Sequence, residues 1–179
     1  MVSKAPALVP RTRKSSGPLP RRLSGLSADS SARALKLGTS FIEVYRAEPL
    51  TRITIIKDGL PADYLDVLSR RLNMTKERLL PTLGIAQATV SRKVREAKPL
   101  SSEDSERALG MARLIGQVEA MVQESGDPTG FDAAKWLARW LDEPLAALNG
   151  RPPSSLMDTA EGQTMVSNLL ARMQSGAYA

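Results

Sequence analysis

The residues with the clearest chemical purpose fall between Thr75 and Lys98. Gln87, Thr89, Ser91, Arg92, Lys93 and Arg95 are the types that read or hold nucleic acid. Gln and Arg pair bidentately with adenine and guanine edges in the major groove, and Thr and Ser suit phosphate or either base. Segment 75–98 carries six Lys/Arg against two Glu, a net +4. The run Thr75-Lys-Glu-Arg-Leu-Leu-Pro-Thr-Leu-Gly-Ile-Ala-Gln-Ala-Thr-Val-Ser-Arg-Lys-Val-Arg-Glu96 has the spacing of a helix-turn-helix over 75–97. In that frame Leu79 and Leu83 face a core, and Gly84 supplies the left-handed turn residue. Ile85, Val90 and Val94 then pin the second helix to the first, leaving Gln87, Ala88, Thr89, Ser91, Arg92 and Arg95 outward. Pro81 dissents, because proline inside a helix removes a hydrogen bond and costs ~3 kcal/mol. The first helix is therefore expected to be kinked or short. The plainer reading of the same residues is an amphipathic helical hairpin whose basic residues are merely solvated.

Other chemistries lack their reagents. The chain has no Cys and no His. That removes disulfides, thiolate and imidazole metal sites, and histidine-assisted nucleophiles. The one local carboxylate cluster is Asp127, Asp132, Asp142 and Glu143, placed at a chain break and at helix ends where acidic residues serve as caps. No catalytic residue, metal ligand or cofactor site is expected, and the chain reads as a non-enzyme.

The elements that must position these residues are helical. Hydrophobic residues make up 42% of the chain and charged residues 25%, which is globular composition. The exception is the start. Residues 1–36 hold eight Lys/Arg against Asp29 alone, a net +7 of the chain's +6, leaving −1 for the rest. Residues 1–28, with Pro6, Pro10, Pro18 and Pro20, read as a disordered basic tail. It is either plain solvated leader or an arm that adds phosphate contacts. No apolar run reaches the ~18 residues of a membrane span, and none of signal-peptide length follows the basic start, so the cytoplasm is expected.

Beyond the tail, Ser40 to Ala47 suits strand or helix. Pro49 and Gly59 frame a helix over 50–58, although Ile53-Thr-Ile-Ile56 argues weakly for strand. Pro61 opens a segment with Tyr64, Leu65, Leu68 and Leu72, stopped by Asn73. Thr75 caps the next helix, which ends at Gly84, and another runs from Ala86 to about Ala97. Ser101 and Asp104 resemble a capping box opening a long helix with Ala108, Met111, Ala112, Ile115, Val118 and Val122 on one stripe. Gly126-Asp-Pro-Thr-Gly130 marks a break, dividing a helical dimerisation and DNA-binding region at 29–126 from a compact unit at 127–179. That unit holds a helix over 131–141 with Trp136 and Trp140, a helical turn over 144–149 capped by Gly150, and a last helix capped by Thr159. Met165, Val166, Leu169, Leu170 and Met173 share one face of the last helix. Two strand candidates apart, the fold class is all-α: a helix-turn-helix bundle followed by a small helical C-terminal domain.

Within the C-terminal unit, Trp140-Leu-Asp-Glu-Pro144, Ala147-Leu-Asn-Gly150, Pro153, Leu156-Met-Asp-Thr159, Gly162, Val166, Leu169-Leu170 and Gly176 resemble the toxin-binding domain of the Xre/MbcA/ParS-like antitoxins. The resemblance runs from about residue 60 to residue 179 and includes the helix-turn-helix. Pro81 and the basic tail depart from it. It implies a RES-type, NAD-consuming toxin as partner, blocked by the C-terminal domain at its active-site entrance. It also implies repression of the shared operon by binding operator DNA, as a homodimer. The toxin-binding candidates are then Trp140, Pro144, Gly150, Arg151, Pro153, Thr159, Arg172, Gly176 and Tyr178. Arg172 and Tyr178 carry a cation and a phenol that suit an anion-binding, nucleotide-sized pocket; the alternative is a solvated Arg and a frayed end. The rival reading of the whole chain is a stand-alone helix-turn-helix regulator whose C-terminal unit dimerises or binds a small ligand.

Overall fold

In the computed structural model of the chain, residues 40–175 are described. The basic tail and the candidates Gly176 and Tyr178 lie outside them. Among the described residues there are no strands, only two isolated bridges, Pro61 with Pro99 and Leu145 with Arg151. The helices are α1 (Phe41–Arg46), α2 (Pro49–Asp58), α3 (Tyr64–Leu72), α4 (Lys76–Thr82), α5 (Gln87–Arg95), α6 (Ser102–Ser125), α7 (Ala133–Trp140) and α8 (Ala160–Gln174). Two 3₁₀ turns, Ala146–Leu148 and Pro153–Leu156, lie between α7 and α8. The segment before Ala47 is thus helix, and tertiary burial of Phe41 and Val44 overrides the strand tendency.

Helix α6 is the spine. Its 24 residues span about 36 Å, and Ala108, Met111, Ala112, Ile115 and Val118 are buried while Val122 is half-buried. Ser101 caps it by accepting from the Asp104 N–H at 3.1 Å. The reciprocal half of a capping box is absent, because the Asp104 carboxylate pairs with Arg107 at 2.7 Å instead. On one side α1 crosses α6 at Gly116, where any Cβ would collide with the Phe41 carbonyl. On another, α8 runs parallel to α6. Gln163 donates to the Arg107 carbonyl (3.1 Å), Gln117 to the Ser167 carbonyl (2.9 Å), and Gln174 to Glu124 (2.9 Å), in matching order along both helices. Gln117 and Gln163 are buried, so these bonds satisfy amides whose desolvation would otherwise be unfavourable.

The buried side chains form one cluster from Phe41 and Leu65 through Met111 and Leu114 to Leu137, Trp140 and Leu170. Packing is therefore continuous across the break at 126–130, where Gly126 and Gly130 take φ of 143° and 79°.

Several boundaries differ from expectation. Helix α3 starts at Tyr64, and Pro61 pairs in a bridge instead of opening it. Helix α7 starts at Ala133, capped by Asp132, which leaves Phe131 40% exposed outside it. The turn expected over 144–149 is a 3₁₀ turn ending in two left-handed residues, Asn149 (φ 55°) and Gly150 (φ 78°). Met165 is 46% exposed. The buried face of α8 is Gly162, Gln163, Val166, Leu169 and Leu170, and at ~100° per residue Met165 lies at its edge.

Candidate functional site

The helix-turn-helix is built as its residues require. Leu79, Leu80 and Leu83 are buried beneath α4, and Ile85 and Val90 fix the start and middle of α5. Helix α4 ends when Gly84 turns left-handed (φ 62°), its N–H bonding to the Pro81 carbonyl (2.9 Å) and that of Ile85 to the Leu80 carbonyl (2.8 Å). This is the Schellman arrangement, and the residues at its two ends, Leu80 and Ile85, are both buried. Pro81 is tolerated because α4 has only seven residues. A single bond to the exposed Glu77 is forgone, so the helix is short and not broken. Thr75 stands at the N-cap but makes no side-chain cap bond.

Val94 departs from expectation: it is 48% exposed. Ile85 and Val90 suffice to seat α5 on the short α4, and its last turn projects past that support. The outcome is a helix whose N-terminal half is anchored and whose outward side carries the polar set. Gln87, Ser91, Arg92 and Arg95 are exposed, and Thr89 is half-buried at the edge. Lys93 is half-buried and donates to the Pro99 carbonyl at 2.6 Å, so its ammonium ties down the chain leaving α5. No acidic side chain pairs with Arg92 or Arg95 among the ion pairs of the described residues. An unpaired cationic face flanked by Gln and Ser is chemically fit to enter a major groove.

The C-terminal unit divides the other candidates. Trp140 is 4% exposed and Pro153 is buried. These two shape the unit from within. Pro144, Gly150, Arg151, Thr159 and Arg172 are exposed. The bridge between Leu145 and Arg151, with Leu145 donating to the Arg151 carbonyl (3.2 Å), brings Pro144, Gly150 and Arg151 onto one rigid loop. Thr159 caps α8 through the Gly162 N–H at 3.0 Å. A Cβ at Gly162 would overlap the Leu156 carbonyl, so that glycine fixes how closely the loop approaches α8. Trp136 stacks on Trp140 with centroids 6.0 Å apart and planes 9° apart. The pair forms one wall of a cleft of about 280 Å³ completed by Arg139, Glu143, Leu145 and Met173.

Asp127, Asp132 and Asp142 are in structural service. Asp127 accepts from Thr129, whose side chain and N–H hold its carboxyl below the usual range. Burial pushes Asp132 up, but the Lys135 N–H it caps (3.1 Å) and the Lys135 ammonium outweigh this and leave it low. Asp142 pairs with Arg78 of α4. A larger cleft of about 600 Å³ opens near Arg70, Arg71, Glu119 and Phe131. There burial pushes the Glu119 carboxyl up while it accepts the Ile42 N–H at 2.8 Å, and Arg71 lies 5.3 Å over the Phe41 ring.

One group escaped the sequence reading. Arg107 has a side chain only 13% exposed, and it meets three parts of the fold. It pairs with Asp104 and Glu103 on its own helix (2.7 and 3.5 Å), and it donates to the Asp158 carbonyl at 3.4 Å. A Cβ on Gly84 would lie 3.2 Å from its Nη1. The spacing of three and four from Asp104 and Glu103 was visible in the sequence, but its link to Asp158 was not.

Comparison with known proteins accounts for both halves of this arrangement. Residues 51–113 match the antitoxin Xre-like helix-turn-helix domain, and residues 129–176 match the antitoxin Xre/MbcA/ParS C-terminal toxin-binding domain. The chain is 48% identical over 136 residues to the Prs ADP-ribosylating antitoxin of Sphingobium sp. (strain YBL2), covering 76% of this chain and 86% of that protein. It is 28% identical over 134 residues to Antitoxin Xre of Yersinia enterocolitica serotype O:8, covering 73% and 85%. It is also 28% identical over 129 residues to Antitoxin Xre of Pseudomonas putida, covering 70% of each. The family is one of antitoxins and not of enzymes, and the chain belongs to it: an Xre/MbcA/ParS antitoxin with a helix-turn-helix domain and a toxin-binding domain.

Proposed function

We propose that this antitoxin neutralises a RES-type toxin that consumes NAD, and that it represses its own promoter through α5. The observation that carries the toxin's chemistry is the 48% relative, whose name couples an antitoxin with ADP-ribosylation of Prs. ADP-ribosyl transfer takes its group from NAD, so a toxin of that chemistry has a nucleotide-sized pocket to be covered. The exposed Arg172 on α8, together with Gly176 and Tyr178 beyond the described residues, is the proposed plug, with the loop carrying Pro144, Gly150 and Arg151 as its rim. Trp140, Pro153 and Thr159 hold that surface in shape.

Operator DNA is the proposed second partner, met by Gln87, Thr89, Ser91, Arg92, Lys93 and Arg95. The active form is proposed to be a cytoplasmic homodimer. Supporting a second copy, Leu50 is 77% exposed and Ile53 44% exposed on α2, with Tyr45 37% exposed on α1, an apolar surface that favours a partner. No helix among the described residues is long and apolar enough to cross a membrane.

The test is co-expression with the product of the neighbouring gene. Cellular NAD should fall when that gene is induced alone and be restored by this chain. The two products should co-purify, and this chain should retard a duplex from its own promoter. Growth arrest without loss of NAD would refute the RES assignment while leaving the antitoxin role in place.

A further inference from the structure

Among the described residues, two contacts besides the shared apolar core tie the helix-turn-helix to the C-terminal unit through α4 and the turn after it. Arg78, on α4, pairs with Asp142 at the end of α7. The turn at Gly84 rests on Asp158 and Arg107, since a Cβ there would lie 3.0 Å from the Asp158 Cβ and 3.2 Å from Arg107 Nη1. Arg107 is the centre of the second contact. Its two terminal nitrogens are engaged, by Asp104 and Glu103 on its own helix and by the Asp158 carbonyl, while its buried Nε has no hydrogen-bond partner among the described residues. The backbone of Arg107 is engaged too, because its carbonyl accepts from the buried Gln163, which also donates to the Met157 carbonyl at 2.9 Å. Main chain and side chain of one residue thus hold the loop before α8 against the turn before α5.

We propose that Arg107 is a positioning residue for DNA reading, setting the angle at which α5 is offered to DNA by fixing the Gly84 turn on the C-terminal unit. Base selectivity then depends on residues of the toxin-binding segment that never touch DNA. This rests on the proposed DNA-reading function. Geometry matters here because bidentate base contacts fail with small displacements, whereas phosphate contacts from flexible cations adapt. Loss of the joint therefore reduces preference for the cognate site more than it reduces binding to arbitrary DNA.

The experiment measures the full chain's dissociation constants for two labelled duplexes, its own promoter fragment and a scrambled one of equal length. The readout is the ratio of the scrambled-duplex dissociation constant to the promoter one, which falls as selectivity is lost. Arg107→Ala is expected to lower that ratio roughly tenfold, the scale of a lost hydrogen bond to a charged group. Asp142→Ala is the decisive companion. Removing a negative charge raises binding to any DNA by electrostatics alone, so positioning requires the ratio to fall while scrambled-duplex affinity holds or rises. Asp158→Ala keeps the carbonyl that Arg107 uses and should leave the ratio unchanged. Far-UV circular dichroism checks helix content. If Arg107→Ala loses it, Arg107→Lys, which keeps a charge beside Asp104 but cannot fork to Asp158, takes its place and should lower the ratio. Unchanged ratios in the folded Arg107 variant and Asp142→Ala, with the parent still preferring its promoter, overturn the proposal alone. A parent chain with no preference overturns the DNA-reading function and this inference with it.

Discussion

Three consecutive helices end in the same way, and one of them does so with the wrong residue. Helices α3, α4 and α5 each close with a left-handed residue, Asn73 (φ 52°), Gly84 (φ 62°) and Ala97 (φ 48°). At α5 the Ala97 N–H bonds to the Val94 carbonyl (3.2 Å) and that of Lys98 to the Lys93 carbonyl (2.9 Å). Glycine and asparagine enter this conformation readily, whereas an ordinary L-residue is about 1–2 kcal/mol less stable there. Ala97 is exposed, so Ala97→Gly removes no packing. Glycine returns part of the gain through its freer unfolded chain, about 0.4–1 kcal/mol, leaving a net stabilisation of about 0.5–1 kcal/mol. At a urea slope of ~2 kcal/mol/M this moves the unfolding midpoint up by roughly 0.3–0.5 M. Equilibrium urea unfolding followed by circular dichroism reads it, and affinity for promoter DNA should stay within about twofold because no base-facing residue changes. The reverse substitution, Gly84→Ala, should lower the midpoint by more than Ala97→Gly raises it, since its Cβ also presses on Asp158 at 3.0 Å. An unchanged or lowered midpoint for Ala97→Gly would refute the claim that left-handed strain resides at this cap.

Gln87→Ala should weaken binding to the cognate duplex by ~1–3 kcal/mol and relax selectivity; equal weakening on scrambled DNA would make Gln87 a backbone contact. Arg172→Ala, or removal of residues 176–179, should weaken neutralisation in an NAD-consumption titration without altering thermal unfolding, and full inhibition by both variants would move the plug to loop 151–158. Burial pushes the Tyr64 phenol's pKa up, and its hydroxyl has no hydrogen-bond partner among the described residues. Tyr64→Phe should therefore be neutral or stabilising by about 1 kcal/mol in urea unfolding. Leu170→Asp places an unpaired carboxylate among buried residues and should abolish cooperative unfolding of the C-terminal unit, detectable as loss of the near-ultraviolet Trp signal.

Where the sequence carried a local physical signal, the fold was legible from it. Helix stops at Gly59, Asn73 and Gly84 and starts at Ser101 and Thr159 depend on neighbours within four residues, and each stands where the pattern put it. The buried stripe of α6 followed from its period alone. What could not be read was decided by distant partners. Val94 shares a face with Val90, and only the shortness of α4 leaves it without a surface to cover. The Arg78–Asp142 pair joins residues 64 apart in the chain, and the Arg107 joint depends on how α8 lies along α6. Among the site candidates, side-chain type alone did not separate Trp140 and Pro153, which are buried, from Arg151 and Arg172, which are not.

The parallel lie of α8 on α6 also has a consequence for synthesis. Helix α6 is complete while the helix that covers it is still being translated, since Gln117 waits for Ser167 and Glu124 for Gln174, each 50 residues later. Until Val166, Leu169 and Leu170 arrive, one side of the spine has no cover, the state in which nascent chains attract chaperones and proteases. Helix α8 also lies within residues 129–176, matched to the toxin-binding domain, so the segment that covers the spine and the domain that meets a toxin are completed together.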